Sequence, residues 1–327
     1  MIKYVIKRIL LLIPVFLGVT FVIFAIVRLN PADPVVAILG INITDEQYAA
    51  KAAELGLDQP FFVQYLLYIK NIVFNFDLGV SYSTGRQVST MIAERFGTTL
   101  QLGLMGIALA LVLGIPFGII SATRQYSLVD RVVTFGSLVF ASMPAFFSAL
   151  VMMLLFSLKL RWLPASFDQS FLGWIMPVVA VGMSPVAGIT RMTRSSMLDV
   201  IRQDYVRTAR AKGLSEKVII FKHELKNAVI PVLTVVGMQI GSIMAGSVVV
   251  ESIFSVPGMG SMISQAITDQ DYNLVQGSVL FIALFICAIN LVVDIVYAFI
   301  DPRIKAQYKG GGKKKNRHQE KEKGKVS

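Results

Sequence analysis

The chain has 327 residues, of which 55% are hydrophobic and only 16% charged, and its mean hydropathy is +0.67. That balance excludes a pair of soluble domains, because the apolar residues gather in blocks long enough to cross a bilayer. A net charge of +11 would allow nucleic acid as a partner, but the placement of the basic residues removes it.

About 20 apolar residues, each rising about 1.5 Å, span the hydrocarbon, and with no water there the backbone must satisfy itself as helix. Six spans are predicted near residues 9–27, 98–122, 132–158, 171–189, 228–250 and 274–300. No run of short segments alternating in polarity points to a β-barrel. The fold class is therefore an all-α membrane protein with six transmembrane helices. Lys3, Lys7 and Arg8 precede the first apolar run, as in a signal peptide. No small-x-small site precedes Asn30, so 1–28 reads as a cytoplasmic N-terminus and a retained first helix. Segment 29–97 contains strand- and helix-capable stretches and is predicted to form a small extracellular subdomain. The other five helices make up a core over 98–308, with a charged cytoplasmic loop at 191–227. The tail 309–327 is glycine- and lysine-rich and is expected to be disordered.

Orientation follows from the loops. With the N-terminus inside, segments 1–8, 123–131, 190–227 and 301–327 hold 24 of the 31 lysines and arginines. This is the bias of a cytoplasmic face. The charge belongs to a membrane surface, and no nucleic acid is expected.

Residues that carry chemistry are scarce. Cys287 is the sole cysteine, and the two histidines, His223 and His318, lie in the charged loop and the tail. There is no His-Glu-x-x-His zinc motif and no phosphate-cradling Gly-x4-Gly-Lys-Ser/Thr loop. The chain is therefore expected to have no catalytic residues, no metal site and no cofactor of its own. Asp294 is the one clear ionisable residue within a span, and such residues are functional candidates. A structural partner to a neighbouring helix or to an inner-loop cation is the favoured role, lining of a substrate path the second and a proton relay the third. Pro14, Pro116, Pro144, Pro177 and Pro185 are predicted to kink or pack their helices, and Gly237, Gly241 and Gly246 to form a small face on the fifth.

In the charged loop, residues 199–213 are predicted to form one surface helix, started by Asp199 and closed by Gly213. Tyr205, Thr208, Ala209 and Lys212 share a face of it that suits a groove in a partner. A second helix opens at Ser215 and Glu216 and runs into the fifth span, where Pro231 can bend it. On these residues alone, an amphipathic loop lying on lipid headgroups remains an equal reading.

The stretch Arg207-Thr208-Ala209-Arg210-Ala211-Lys212-Gly213, followed by His223-Glu224-Leu225-Lys226-Asn227-Ala228, resembles the cytoplasmic EAA loop of ABC importer permeases. Arg207 and Thr208 stand where that pattern has Glu and Ala, and Lys226 where many members have proline, as in the peptide-transporting branch. Further stretches resemble the dipeptide/oligopeptide (peptide/nickel) branch. They are Pro31-Ala32-Asp33-Pro34, Gly56-Leu57-Asp58-Gln59-Pro60, Asp77-Leu78-Gly79 with Ser81-Tyr82, Glu251 with Phe254 and Pro257-Gly258-Met259-Gly260, and Asp301-Pro302-Arg303. Ala32, Phe76, Gln270 and Asn273 depart from the commoner residues.

The resemblance covers 1–308 and implies a permease that works with four partners: a second permease, two ATPase subunits and an extracytoplasmic substrate-binding protein. ATP and Mg²⁺ would be bound by the ATPases. The chain would lie in a bacterial or archaeal cell membrane with both termini cytoplasmic. Tyr205, Arg207, Thr208, Ala209, Lys212, Gly213, His223 and Asn227 would form the ATPase-coupling loop. Peptides are the expected cargo, with nickel or a metal chelate as the alternative. An ion-coupled secondary transporter is disfavoured by the single membrane acid and the absence of an internal repeat.

Overall fold

The fold was read from a computed structural model that describes residues 2–29, 34–40 and 42–300, without the side chains of residues 2–5, 7, 8, 37, 294 and 297–300. The tail 309–327, the Asp301-Pro302-Arg303 stretch, Pro31 to Asp33 and the side chain of Asp294 lie outside the described residues.

Helix α1 (Ile2–Leu29) is apolar nearly throughout. Three shorter helices follow, α2 (Pro34–Leu39), α3 (Asp45–Glu54) and α4 (Phe61–Asn75). Thr44 and Gln47 close a capping box at the start of α3, satisfying two backbone donors reciprocally. Helix α4 folds back on α1. The Tyr65 hydroxyl donates to the Leu17 carbonyl at 2.9 Å, and Phe24 stacks with Tyr68 at 5.8 Å. The strand expected in this region is reduced, among the described residues, to one isolated bridge between Val80 and Gln87.

Helix α5 (Val88–Thr123) has 36 residues, about 54 Å at the helical rise. The hydrocarbon is only about 30 Å thick, so α5 projects beyond it. This is why the span predicted at 98–122 missed its first turns: Glu94 and Arg95 are helical but too polar for a span.

The third apolar block is bent. Helix α6 (Leu128–Ser142) and helix α7 (Ala145–Met152), which continues as a π-helix over Met153–Lys159, meet at a 104° bend. Pro144 stands at the break and supplies no amide for α6 to continue. Helix α8 (Phe171–Ile201) runs well past the predicted end at 189. Helices α9 (Asp204–Ala211) and α10 (Glu216–Val218) form the loop. A π-helical segment, Ile219–Glu224, then leads into α11 (Leu225–Phe254), which contains Pro231. Helix α12 (Met259–Thr268) and helix α13 (Tyr272–Ile300) follow.

Among the described residues, five helices are long and apolar enough to cross a membrane, and six if the bent α6–α7 pair is one span. The main core joins α5, α8 and α11 through Leu102, Ile107, Met176, Ile189, Ile243 and Phe254. Between membrane helices, close packing takes over the role that water exclusion plays in soluble proteins, and small residues permit it. Gly118 of α5 lies against Thr193 of α8, with no room for a Cβ. Gly237 and Gly241 meet Val293 and Ile286 of α13 as a small face should, whereas nothing lies within 4 Å of a Cβ on Gly246.

Candidate functional site

The single loop helix predicted over 199–213 is two elements. Met197, fully buried, together with Val200 and Ile201, packs beside Ala122 and Ala228, so α8 continues through Asp199 to Ile201. The chain then breaks at Arg202 and Gln203. Gln203 is extended, and α9 starts at Asp204. Asp204 in its first turn and Arg210 in its last suit the helix dipole. Gly213 ends the turn with φ +76°, a left-handed conformation that costs a Cβ-bearing residue energy. Its amide donates to the Arg210 carbonyl at 2.9 Å.

One face of α9 is sealed against its own chain. Val206 is 0% and Ala209 6% exposed, and both pack on Ile219, also 0% exposed. Ala209 therefore does not belong to a free face with Tyr205, Thr208 and Lys212, as the spacing had implied. It lies one turn from Val206, and the neighbouring strip of the helix is the one that docks inward. Tyr205, Arg207, Thr208, Lys212 and Gly213 are exposed. Arg207 makes a loose pair with Asp204 at 3.6 Å, and the Thr208 hydroxyl donates to the Asp204 carbonyl at 2.9 Å. The Asn227 amide donates to the Tyr205 hydroxyl at 2.9 Å and to the His223 carbonyl at 3.0 Å. Of the predicted loop residues, Tyr205, His223 and Asn227 thus come together, whereas Arg207 and Thr208 turn back on Asp204 and Lys212 is exposed.

Two residues absent from the predicted set organise this loop. The Arg210 guanidinium reaches Glu216 at 3.0 Å and Glu224 at 3.1 Å. The hydrogen bond to Glu216, supported by the charge of Glu224, raises the Arg210 pKa above its ordinary value. Glu224 is 0% exposed. The single acid between Phe221 and Leu225 is a signal that could have marked it, but nothing in the spacing pairs it with Arg210.

A second ion pair lies at the same end of the bundle. Arg194 of α8 donates from Nε and Nη2 to the two oxygens of Asp130 at 2.7 and 2.9 Å. Ser121 of α5 donates to the same carboxylate. Three helices are thereby joined around a two-pronged contact, a geometry particular to arginine.

At the opposite end the buried acids are held by amides and hydroxyls. Glu251 of α11 accepts from the Gly260 amide at 2.6 Å at the start of α12, and the Thr99 hydroxyl accepts from the Met259 amide at 2.7 Å. A Cβ on Gly260 would strike the backbone of Val248, so only glycine allows this approach. Asp271 accepts from the Ser81 hydroxyl, from the Ser83 amide at 3.2 Å and from the Ser83 hydroxyl at 2.9 Å. It also caps α13 by accepting from the Leu274 amide at 3.2 Å. Burial pushes the Asp271 carboxyl up, but the hydrogen bonds from Ser81, Tyr82 and Ser83 outweigh it and leave it below the usual range. The Ser81, Glu251 and Gly258-Met259-Gly260 motifs thus have a shared structural task.

Two clefts remain. One of about 520 Å³ lies beside α12 and is lined by Ser83, Arg86, Arg95, Ser261, Gln265 and Asp269. Another of about 360 Å³ sits at the α6–α7 break, lined by Ser142, Pro144, Ser184, Pro185, Ser242 and Gly246.

Comparison with known proteins bears on the same regions. Residues 114–306 match the family described as the binding-protein-dependent transport system inner membrane component. Residues 1–103 match the N-terminal region of that membrane component. The dipeptide transport system permease protein DppB of Alkalihalophilus pseudofirmus is 41% identical over 93% of this chain and 100% of its own length. DppB of Escherichia coli K12 is 38% identical over 93% of this chain and 99% of its own. The oligopeptide transport system permease protein AppB of Bacillus subtilis is 39% identical over the same shares. A chain of the inward-facing MetNI methionine ABC transporter superposes with a TM-score of 0.52 at 16% identity, over 65% of this chain and 97% of that one. It shows a shared fold. The matched regions run from α1 through the α9 loop into α13, and the relatives align from end to end. The chain belongs to the binding-protein-dependent transport system inner membrane component family.

Proposed function

We propose that this chain is a permease subunit of an ATP-driven importer of di- and oligopeptides in a bacterial or archaeal cell membrane. A second permease completes the path, two ATPase subunits bind ATP and Mg²⁺, and a substrate-binding protein delivers the cargo. The names of the relatives support the cargo class. The α9 end faces the cytoplasm in this reading, in keeping with the arginine and lysine bias of its loops. The cleft at the α6–α7 break lines the cargo path, since broken helices at bundle centres are where transporters hold substrate. The cleft beside α12, with segment 29–97, faces the binding protein.

The observation that carries the coupling role is α9 itself. It is anchored by Val206 and Ala209, yet it presents Tyr205, Arg207, Thr208 and Lys212 outward and ends on a left-handed Gly213. This is a rigid knob with one face free. The test is co-purification of tagged chain with its co-expressed ATPase subunits, comparing the parent with Arg207→Glu and Gly213→Pro. Loss of the ATPases in both variants supports docking at α9. Full retention in both rejects it. Ala209→Arg would be a poor probe, because it would disrupt the seat of the helix in its own chain.

A further inference from the structure

Docking at α9 leaves open which membrane helix moves with it. Helix α8 is joined to α9 by the short break at Arg202 and Gln203, by two hydrogen bonds from Gln203, to Val200 and Asp199, and by packing of Val200. The start of α11 is joined to it by ties of a different strength. Ile219 is buried under Val206 and Ala209, Asn227 bonds Tyr205, and Arg210 reaches Glu224.

Glu224 is the decisive tie. It is fully buried, its Oε1 is held by Arg210 at 3.1 Å, and its Oε2 makes no hydrogen bond among the described residues. Pulling Arg210 away would leave a bare charge inside the protein, which is far less favourable than opening an exposed pair. The other contact of Arg210, Glu216, is 64% exposed on its side chain and exerts no such hold. Glu224 also sits at the end of a π-helical segment, an element that marks a local adjustment of helix register.

The two membrane helices pack on one another in the main core and both line the cleft at the α6–α7 break, but their polar ties differ. Helix α8 is fixed to α5 and α6 by Arg194, Asp130 and Ser121, and to α5 by Gly118 against Thr193. Helix α11 runs from this strap past Ser242 and Gly246, which line the cleft at the α6–α7 break, to Glu251 at the start of α12.

We infer that Glu224 is a positioning residue that locks α9 to α11, so that displacement of α9 reaches the cleft and the α12 end through α11. This rests on the coupling role proposed for α9. Motion of this kind needs a two-state element that both sites bias, and α11 with its strap is that element.

The test uses the whole complex, with its ATPases and binding protein, in proteoliposomes supplied with a dipeptide and ATP. The readout is peptide delivered per ATP hydrolysed. Glu224→Ala is expected to lower that ratio at least about threefold while the ATPase subunits stay bound. Glu216→Gln is expected to leave it unchanged. An unchanged ratio in Glu224→Ala, or an equal fall in both variants, overturns the inference.

A second measurement does not depend on how the Glu224 variant folds. In a Cys287→Ser background, Val206→Cys and Ile219→Cys are joined by oxidation, and the same sample is assayed before and after reduction. If α9 and α11 move together, the oxidised form keeps transport within about twofold of the reduced form. Loss of transport on oxidation overturns the inference. If Gly213→Pro and Arg207→Glu leave ATPase binding intact, it is instead the docking of α9 that fails.

Discussion

Four acidic side chains are buried among the described residues, Asp130, Glu224, Glu251 and Asp271, and the two ends of the bundle satisfy them differently. At the α9 end, Asp130 and Glu224 each face an arginine. At the α12 end, Glu251 and Asp271 are held by backbone amides, and Asp271 by serine hydroxyls as well. The difference follows the chain's charge distribution, since most lysines and arginines lie in the loops of the α9 end and the tail. Where cations are scarce, the acids are solvated by helix N-termini, whose unpaired amides favour negative charge. Such amides are set in place by the helices that begin there. At the α9 end arginine side chains instead tie together elements far apart in the chain, Arg194 joining α8 to α6 and Arg210 joining α9 to the segment before α11.

The comparison can be tested by removing the partners in turn. Arg194→Ala should have the largest effect, because it strands Asp130 as a buried charge, at a cost of about 3–5 kcal/mol. Thermal unfolding of the detergent-purified protein should fall well below the parent, and a wild-type melting temperature would show that Ser121, the Tyr126 amide and Thr134 suffice to hold Asp130. Glu251→Ala should follow, at about 1–3 kcal/mol for the orphaned amides of α12. Hydrogen exchange at the Gly260 and Ser261 amides should rise with little change around α9. If protection is lost at both ends together, the ends are not separate units.

Arg86→Ala removes an exposed pair with Glu94, whose side chains are 49% and 51% exposed. It should cost less than about 1 kcal/mol and shift the melting curve barely at all. The smallest effect belongs to mild acid. Because the folded Asp271 carboxyl lies below its ordinary value, its contribution is complete above the unfolded pKa of about 3.9 and is lost only as pH falls below that. Protection of the Ser83 and Leu274 amides should therefore be the same at pH 7 and about pH 5, after correction for intrinsic exchange. Loosening in that interval would mean that burial, not hydrogen bonding, controls the group.

Much of this was legible in the chain. Apolar block length located the spans, because backbone groups without water have only the helix available. Gly213 marked the end of α9, since few other residues adopt its φ readily, and Ser215 marked the next start. The order of motifs indicated the family. Pro144 was legible as a kink in the third apolar block, but composition alone could not show that the turn would reach 104°.

Other features had no one-dimensional signal. Periodicity put Ala209 on the same face as Tyr205, but only the packing of Ile219 beneath α9 decided which strip of that helix was buried. Arg210 and Glu224 are 14 residues apart, and Asp271 and Ser81 are 190 apart. Hydropathy, length and charge bias act along the chain, so the sequence by itself determined the helical membrane class and the face that carries the cations. Which acid meets which donor depends on how the helices cross, and the tertiary structure alone decided it. A buried charge must find a partner in space, wherever that partner lies in the chain.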